Sequence, residues 1–97
     1  MFPILYRNQA KKFFKKIKDK TLKKKFEEAI KELRNDPEIG ENKVGDLSGI
    51  WGYDVYYNGI NYEIAYIIET LEDGTLLVII LAGTRENFWN EVKRYIN

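Results

Sequence analysis

The side chains best placed for chemistry follow the most apolar stretch of the sequence. Arg85 and Glu86 come directly after Leu76–Ala82 and the pair Gly83-Thr84. With Thr84 as the cap of a following helix, Arg85 stands at a helix N-terminus, where unpaired backbone N–H groups favour an anion. Its guanidinium adds a planar, two-pronged fork for a phosphate. Glu86 is the adjacent carboxylate that could accept a proton. The plainer role for Glu86 is that of an acid in the first helical turn, favoured by the helix dipole, and Arg85 could instead pair with Asp46 or Asp54. Lys43, in a loop punctuated by Gly40, Gly45 and Gly49, is either a phosphate contact or a solvated loop lysine. Lys93 and Arg94 either steer a polyanion or complement a helix C-terminus. Tyr95 either stacks on a base or donates a proton, or it closes the edge of the core.

The rest of the inventory narrows that chemistry. The sequence has no His and no Cys. Disulfides and thiolate metal sites are therefore excluded, and the commonest metal ligand and neutral-pH acid/base is missing. No metal and no cofactor is expected. Any acid/base work falls to Lys, Arg, Tyr, Glu and Asp.

Charge is unevenly distributed along the chain. Twelve of the 16 Lys/Arg residues lie within Met1–Arg34, beside only Asp19, Glu27, Glu28 and Glu32. That segment carries +8 and the remainder −7, within an overall +1. Such asymmetry suits a polyanion or an acidic partner; the alternative is a solvated lysine face on two helices. Phe2–Tyr6 is too short for a signal peptide, and Leu76–Ala82 is far shorter than the ~20 residues that span a bilayer. A cytoplasmic protein without membrane contact is the expectation.

The 97 residues, with seven Tyr, five Phe and two Trp, suffice for one domain over 1–97 with a core of its own. Phe2–Arg7 reads as a short strand, pushed to an edge or shortened by Pro3. Asn8 can cap a helix in which Ala10, Phe13, Phe14 and Ile17 share a face. Asp19 can cap a second, with Leu22, Phe26, Ala29, Ile30 and Leu33 as its apolar stripe. The two make a helix hairpin, and Asn35-Asp36-Pro37 ends it. Glu38–Gly49 reads as a long glycine-punctuated loop. Trp51–Tyr57 and Ile60–Thr70 are strands joined at Asn58-Gly59, a strong hairpin signal. Asp73-Gly74 marks a second turn, Leu76–Ala82 is a central strand buried on both faces, and Gly83 ends it. A last helix carries Phe88, Trp89, Val92 and Ile96 on one face. Tyr62, Ile64, Tyr66 and Ile68 are expected to face the helix hairpin, with Glu63, Ala65, Ile67 and Glu69 on the other side. The predicted fold class is α+β: an N-terminal strand and a helix hairpin packed on a mainly antiparallel four-stranded sheet, then a short C-terminal helix.

This order of elements resembles the RelE/ParE toxin superfamily. Three segments carry the resemblance: Asp36-Pro37-Glu38-Ile39-Gly40, Lys43-Val44-Gly45-Asp46-Leu47-Ser48-Gly49, and Gly83-Thr84-Arg85-Glu86-Asn87-Phe88-Trp89. The last of these, continuing to Lys93-Arg94-Tyr95, looks like the ending of the ParE-like branch.

The resemblance implies a toxin of a type II toxin–antitoxin pair, held inactive by a cognate antitoxin. Its RelE-like members cleave mRNA on the ribosome, and its ParE-like members poison DNA gyrase. Cleavage of RNA without a metal requires a deprotonated 2′-OH, a held phosphate, a neutralised transition state and a protonated leaving oxygen. On this sequence the expected catalytic residues are Arg85, Glu86 and Tyr95, with Lys43, Arg85, Lys93 and Arg94 binding nucleic acid. RelE-like enzymes carry an Arg directly after a Tyr on a middle strand; Tyr62-Glu63-Ile64-Ala65-Tyr66 places Glu63 there instead. Trp51, Tyr53, Asp54, Tyr56 and Tyr57 supply no cation either. That departure leaves three readings open: an mRNA interferase that inhibits translation, a gyrase inhibitor without nuclease activity, and an inactive antitoxin-binding module.

Overall fold

The computed structural model describes residues Met1 to Ile96. Its elements run β1 (Ile4–Tyr6), α1 (Asn8–Lys16), α2 (Lys20–Asn35), β2 (Glu41–Asn42), β3 (Trp51–Tyr57), β4 (Ile60–Leu71), β5 (Gly74–Thr84) and α3 (Phe88–Tyr95). The strands form one sheet in the order β1-β5-β4-β3-β2. β2, β3, β4 and β5 pair antiparallel in succession, whereas β1 lies parallel to β5 with Ile4 opposite Leu77. The α+β class is as expected, but the sheet has five strands rather than four. The additional strand, β2, forms inside the glycine-punctuated segment: Lys43 N–H donates to the Ile50 carbonyl at 2.9 Å and folds the segment back on itself. Short 3₁₀ turns at Pro37–Ile39 and Gly45–Leu47 occupy most of the rest.

Local chemistry accounts for most of the boundaries. The Asp19 carboxylate accepts from the Thr21 and Leu22 amides at 2.9 and 3.2 Å and starts α2 as a side-chain cap. Pro37 stops it: α2 ends at Asn35, and Asp36 is extended. Asn58 and Gly59 have φ of 52° and 76°, the left-handed pair that a two-residue hairpin turn requires.

Four boundaries differ from the sequence expectation. Asn8 is the first residue of α1 rather than its cap; Arg7 precedes it without a side-chain cap bond. The second turn is built from Glu72 and Asp73, and Gly74 already pairs with Leu71. β5 continues through Gly83 to Thr84, which pairs with Tyr62. Asn87, in the left-handed conformation at φ 59°, precedes α3 in place of Thr84.

The sheet separates two cores. On one face, Ile64, Tyr66, Leu77 and Ile79 meet Phe26, Ile30 and Leu33 of α2, with Tyr62 and Ile68 packed alongside. The expected parity of β4 therefore holds. Burying a side chain the size of Phe26 contributes roughly 1.5–3 kcal/mol, and edge-to-face contacts with Phe13 and Phe14 fix its ring. Two tyrosines tie β3 to α2: Tyr53 donates to Glu32 at 2.5 Å and Tyr57 to Asp19 at 2.8 Å. On the other face, Phe88 and Val92 of α3 cover Ile50, Ala65, Ile80 and Leu81. A bulge serves this second core. Ala65 faces Leu81 while Tyr66 faces Ile79, so Ile80 is the extra residue and both Ile80 and Leu81 lie under α3.

Candidate functional site

The hairpin turn at Asn58-Gly59 fixes the rows across β3 and β4: Gly52 opposite Ala65 and Asp54 opposite Glu63. Because strand side chains alternate, Gly52, Asp54 and Tyr56 share the α3 side of the sheet with Glu63 and Ala65. β5 extends these rows with Leu81 and Gly83, and β2 sets Glu41 against Gly52. The segment after Gly83 then carries Arg85 past the end of the Asp54–Glu63 row.

Glu63 is the centre of this face. It is the buried charged residue among those described, at 4 % exposure. Burial pushes its carboxyl above the ordinary value, and the Asp54 carboxylate across the strand pushes it further. A hydrogen bond from Trp89 and the positive field of Arg85 oppose those effects without cancelling them. Trp89 Nε1–H donates to Glu63 Oε2 at 3.0 Å.

The indole of Trp89 lies directly over Gly52. A Cβ at that position would approach Trp89 Cζ2 to 2.7 Å, so the strand must be glycine here for the ring to seat. The Lys43 ammonium stands 4.5 Å from the centroid of the Trp89 ring and pairs with Glu41 at 2.5 Å. Lys43 holds the Glu41 carboxyl below its ordinary value, and Arg85 adds to that effect. Arg85 thus acts on the Asp54–Glu63 carboxyl pair directly, while Lys43 stands against the Trp89 indole and pairs with Glu41. A face of this kind can hold an anion at its cations and pass a proton to or from a carboxylate.

The expected site residues are only partly gathered. Lys43 and Arg85 meet on this face. Arg85, however, is not at a helix N-terminus: it lies in a bend three residues before α3, with its amide donating to the Asn61 carbonyl at 3.0 Å. Glu86 is an exposed turn residue rather than a member of the first helical turn, whose acid is Glu91. Tyr95 ends α3, about 10 Å along the helix from Phe88 at 1.5 Å per residue. There the Tyr95 carbonyl accepts from Arg7 Nη1 at 3.5 Å. Arg85 and Glu86 thus precede α3, whereas Tyr95 stands at its far end. Lys93 lies 3.8 Å from Asp46, which sits in the Gly45–Leu47 turn, and Arg94 is exposed beside it on α3. Of the β3 aromatics, Trp51, Tyr53 and Tyr57 pack toward the helix hairpin. Tyr56, 65 % exposed, stands out on the α3 side.

Sequence reasoning placed Glu63 on the face away from the helix hairpin and Trp89 on the apolar face of the last helix, but gave no chemical role to the Asp54–Glu63 pair or to the Trp89 indole. The pairing had a signal. A two-residue turn at Asn58-Gly59 makes paired positions sum to 117, so Asp54 must face Glu63. The contact of Trp89 with Gly52 had none, because it depends on where α3 docks.

Residues 4–93 match the family described as ParE-like toxin of type II bacterial toxin-antitoxin system. No curated protein sequence gives a significant match. Among solved structures, a double arginine-to-alanine mutant of E. coli toxin RelE in the free state superposes with a TM-score of 0.70. It shares 16 % identity, over 97 % of this chain and 92 % of that one. The Mycobacterium tuberculosis toxin–antitoxin complex RelBE2 gives 0.65 at 21 % identity, covering 87 % and 98 % of the two chains. A YoeB/ParE toxin from Agrobacterium tumefaciens gives 0.68 at 13 % identity, covering 87 % and 99 %. At these identities the structural likeness establishes the fold, and the family match covers nearly the whole sequence. The chain belongs to the ParE-like toxins of type II bacterial toxin–antitoxin systems.

Proposed function

We propose that this toxin arrests growth by metal-independent cleavage of mRNA at the face bearing Asp54, Glu63, Lys43 and Arg85, and that a cognate antitoxin neutralises it. One observation carries the reading: a buried carboxyl, raised above its ordinary value, faces a second carboxylate across the strand, bonded to the Trp89 indole and within the field of Arg85. Carboxyls perturbed in this way concentrate at sites of proton transfer. In the proposed step the exposed Asp54 takes the 2′-OH proton, with Glu63 behind it stabilising the shared proton. The O2′–P bond forms and the P–O5′ bond breaks. The departing O5′ takes a proton from water, leaving a 2′,3′-cyclic phosphate and a 5′-hydroxyl. Lys43 and Arg85 neutralise the charge that grows on the phosphoryl oxygens. Lys93 and Arg94, farther along α3, steer the polyanion. Glu86 and Tyr95 have no part in this step.

The test is to map mRNA 5′ ends in a translating extract and on purified RNA, with wild-type protein and the Asp54→Asn variant. Discrete new ends that disappear in the variant support the reading, and their restriction to the translating extract assigns ribosome dependence. Growth arrest with intact transcripts refutes it.

A second reading, inhibition of DNA gyrase without nuclease activity, is favoured by a different observation. β3 and β4 bring no Lys or Arg to this face, so its cations come only from flanking segments. A supercoiling assay separates the two: gyrase unimpaired by excess toxin removes the second reading.

A further inference from the structure

The row of the sheet beyond Asp54–Glu63 holds a side chain that the proposed step does not use. Asn61 stands two residues before Glu63 on β4, so by alternation it shares the α3 side. Tyr56 lies opposite it on β3, and on the other flank the Arg85 amide donates to the Asn61 carbonyl at 3.0 Å. Both polar atoms of the Asn61 carboxamide are buried, and neither has a hydrogen-bond partner. Such an amide has lost its hydration and gained no bond in exchange. Folded proteins rarely leave a buried polar group in that state, and among the described residues Asn61 alone has side-chain atoms so placed. Its neighbour across the strand pair departs in the opposite sense: Tyr56 is a large ring left 65 % exposed.

We propose that Asn61 and Tyr56 form a subsite for one adenine base of the RNA strand. Tyr56 supplies the stacking face, a contact that any base can use. Asn61 supplies the selection. Its carboxamide sets a donor beside an acceptor, and adenine presents the complement on two edges, because its amine lies between the ring acceptors N1 and N7. A pyrimidine offers less area to Tyr56, and guanine shows two acceptors at N7 and O6. The subsite lies about 7 Å along β4 from Glu63, two residues at roughly 3.4 Å each, so consecutive nucleotides of one strand can occupy it and the Asp54–Glu63 row. The side chains of Tyr56 and Arg85 beside the amide are exposed, and a rotamer change there admits a base without moving the sheet. The subsite names what the face selects, and it rests on the preceding reading only for the presence of an RNA strand.

The probes are fluorescein-labelled 2′-O-methyl heptamers, which lack the attacking hydroxyl and stay intact. One carries adenine, one carries purine without the 6-amino group, and one is abasic. Their phosphate charge is equal, so anisotropy with the full-length protein compares base contacts alone. Adenine should bind about fivefold or more tighter than purine, the discrimination of one paired edge. Purine should bind about fivefold or more tighter than the abasic chain, the contribution of stacking. Asn61→Leu should bring adenine and purine together while leaving purine ahead of the abasic chain. Tyr56→Ala should bring purine and the abasic chain together. Asn61→Leu should also melt at or above the wild-type temperature, because it replaces an amide that has no partner; Asn61→Ala repeats the binding comparison should leucine fit poorly. Equal binding of adenine and purine by the wild type, no binding of any heptamer, or an adenine preference that survives both Asn61 variants overturns the subsite. The two proposals fail separately. Adenine preference without transcript cleavage removes the cleavage reading alone, and cleavage without adenine preference removes the subsite alone.

Discussion

Replacing Gly52 by alanine tests whether Trp89 is seated as described. The added Cβ would stand 2.7 Å from Cζ2 and 2.9 Å from Cη2 of Trp89, and 3.1 Å from Lys43 Cε. Lys43 can swing away at its flexible end, but the indole is held by its bond to Glu63 at 3.0 Å. The ring must tilt, and Glu63 loses its donor. Overpacking of this kind costs roughly 1–3 kcal/mol. The backbone contributes with the opposite sign. Gly52 does not adopt a positive φ, so alanine fits the strand and should add about 0.4–1 kcal/mol by restricting the unfolded chain. In a Trp89→Ala background only that favourable part remains. Gly52→Ala should therefore destabilise the wild type and stabilise the Trp89 variant, a coupling of roughly 1–3 kcal/mol between the two sites, because the backbone contribution cancels between the backgrounds. Urea unfolding of the four proteins, followed by far-UV circular dichroism, measures it. In a thermal melt each kcal/mol should appear as about 4–8 °C. The same sign and size of effect in both backgrounds would refute the packing argument.

Glu63→Gln should alter the pH dependence of stability. The folded carboxyl is raised, so the native state holds its proton more tightly than the unfolded chain does. Wild-type stability should fall as pH climbs from the ordinary carboxylate range through the folded value, and the variant should lack that fall when melts are recorded from acid to neutral pH. Asp54→Asn should lower single-turnover RNA cleavage by about 10²–10⁴-fold, while an effect below about tenfold would remove Asp54 as the base. Tyr66→Phe deletes the buried hydroxyl that donates to the Pro37 carbonyl at 2.6 Å; equilibrium unfolding should show a loss of about 1–3 kcal/mol. Asp19→Ala removes both the α2 cap and the acceptor of Tyr57. The Asp19 carboxyl is lowered in the folded state, chiefly by the Tyr57 bond, so its stabilisation is present above the ordinary carboxylate value and lost as pH falls through the folded one. The variant should melt lower than wild type at neutral pH and converge with it in acid.

Much of this fold is legible because its signals are local. Pro37, Asp19 and Asn58-Gly59 each act on neighbours within a few residues, and each boundary they set is where the sequence places it. The 2.0 and 3.6 periods assign β4, α1 and α2 to their faces by the same local rule. The failures are of a different kind. β2 is two residues long and exists only because the Lys43 amide reaches the Ile50 carbonyl, a closure that no propensity encodes. Thr84 looks like a cap, yet pairing with Tyr62 keeps it in β5 and defers the helix to Phe88. That three-residue delay moved Arg85 away from the helix terminus and out onto the Glu63 face. The site was harder still. Glu63 and Asp54 are joined by register, but the burial that gives Glu63 its character comes from Trp89 on α3, and docking of α3 depends on the bulge at Ile80.

The parallel pairing of β1 with β5 also constrains the order of assembly. Ile4 meets Leu77, 73 residues later. The helix hairpin and the β3–β4 hairpin close over short stretches of chain, but the first strand has no partner until β5 is made. Loop closure over that separation makes it a late, slow contact. During synthesis β1 must wait for β5, its apolar residues uncovered, and Arg85 and Trp89 follow β5 in turn. A ribosome-bound chain that stops short of β5 therefore lacks both the finished sheet and the cation and indole of the Glu63 face, so that candidate surface forms only after the strand on which the sheet closes.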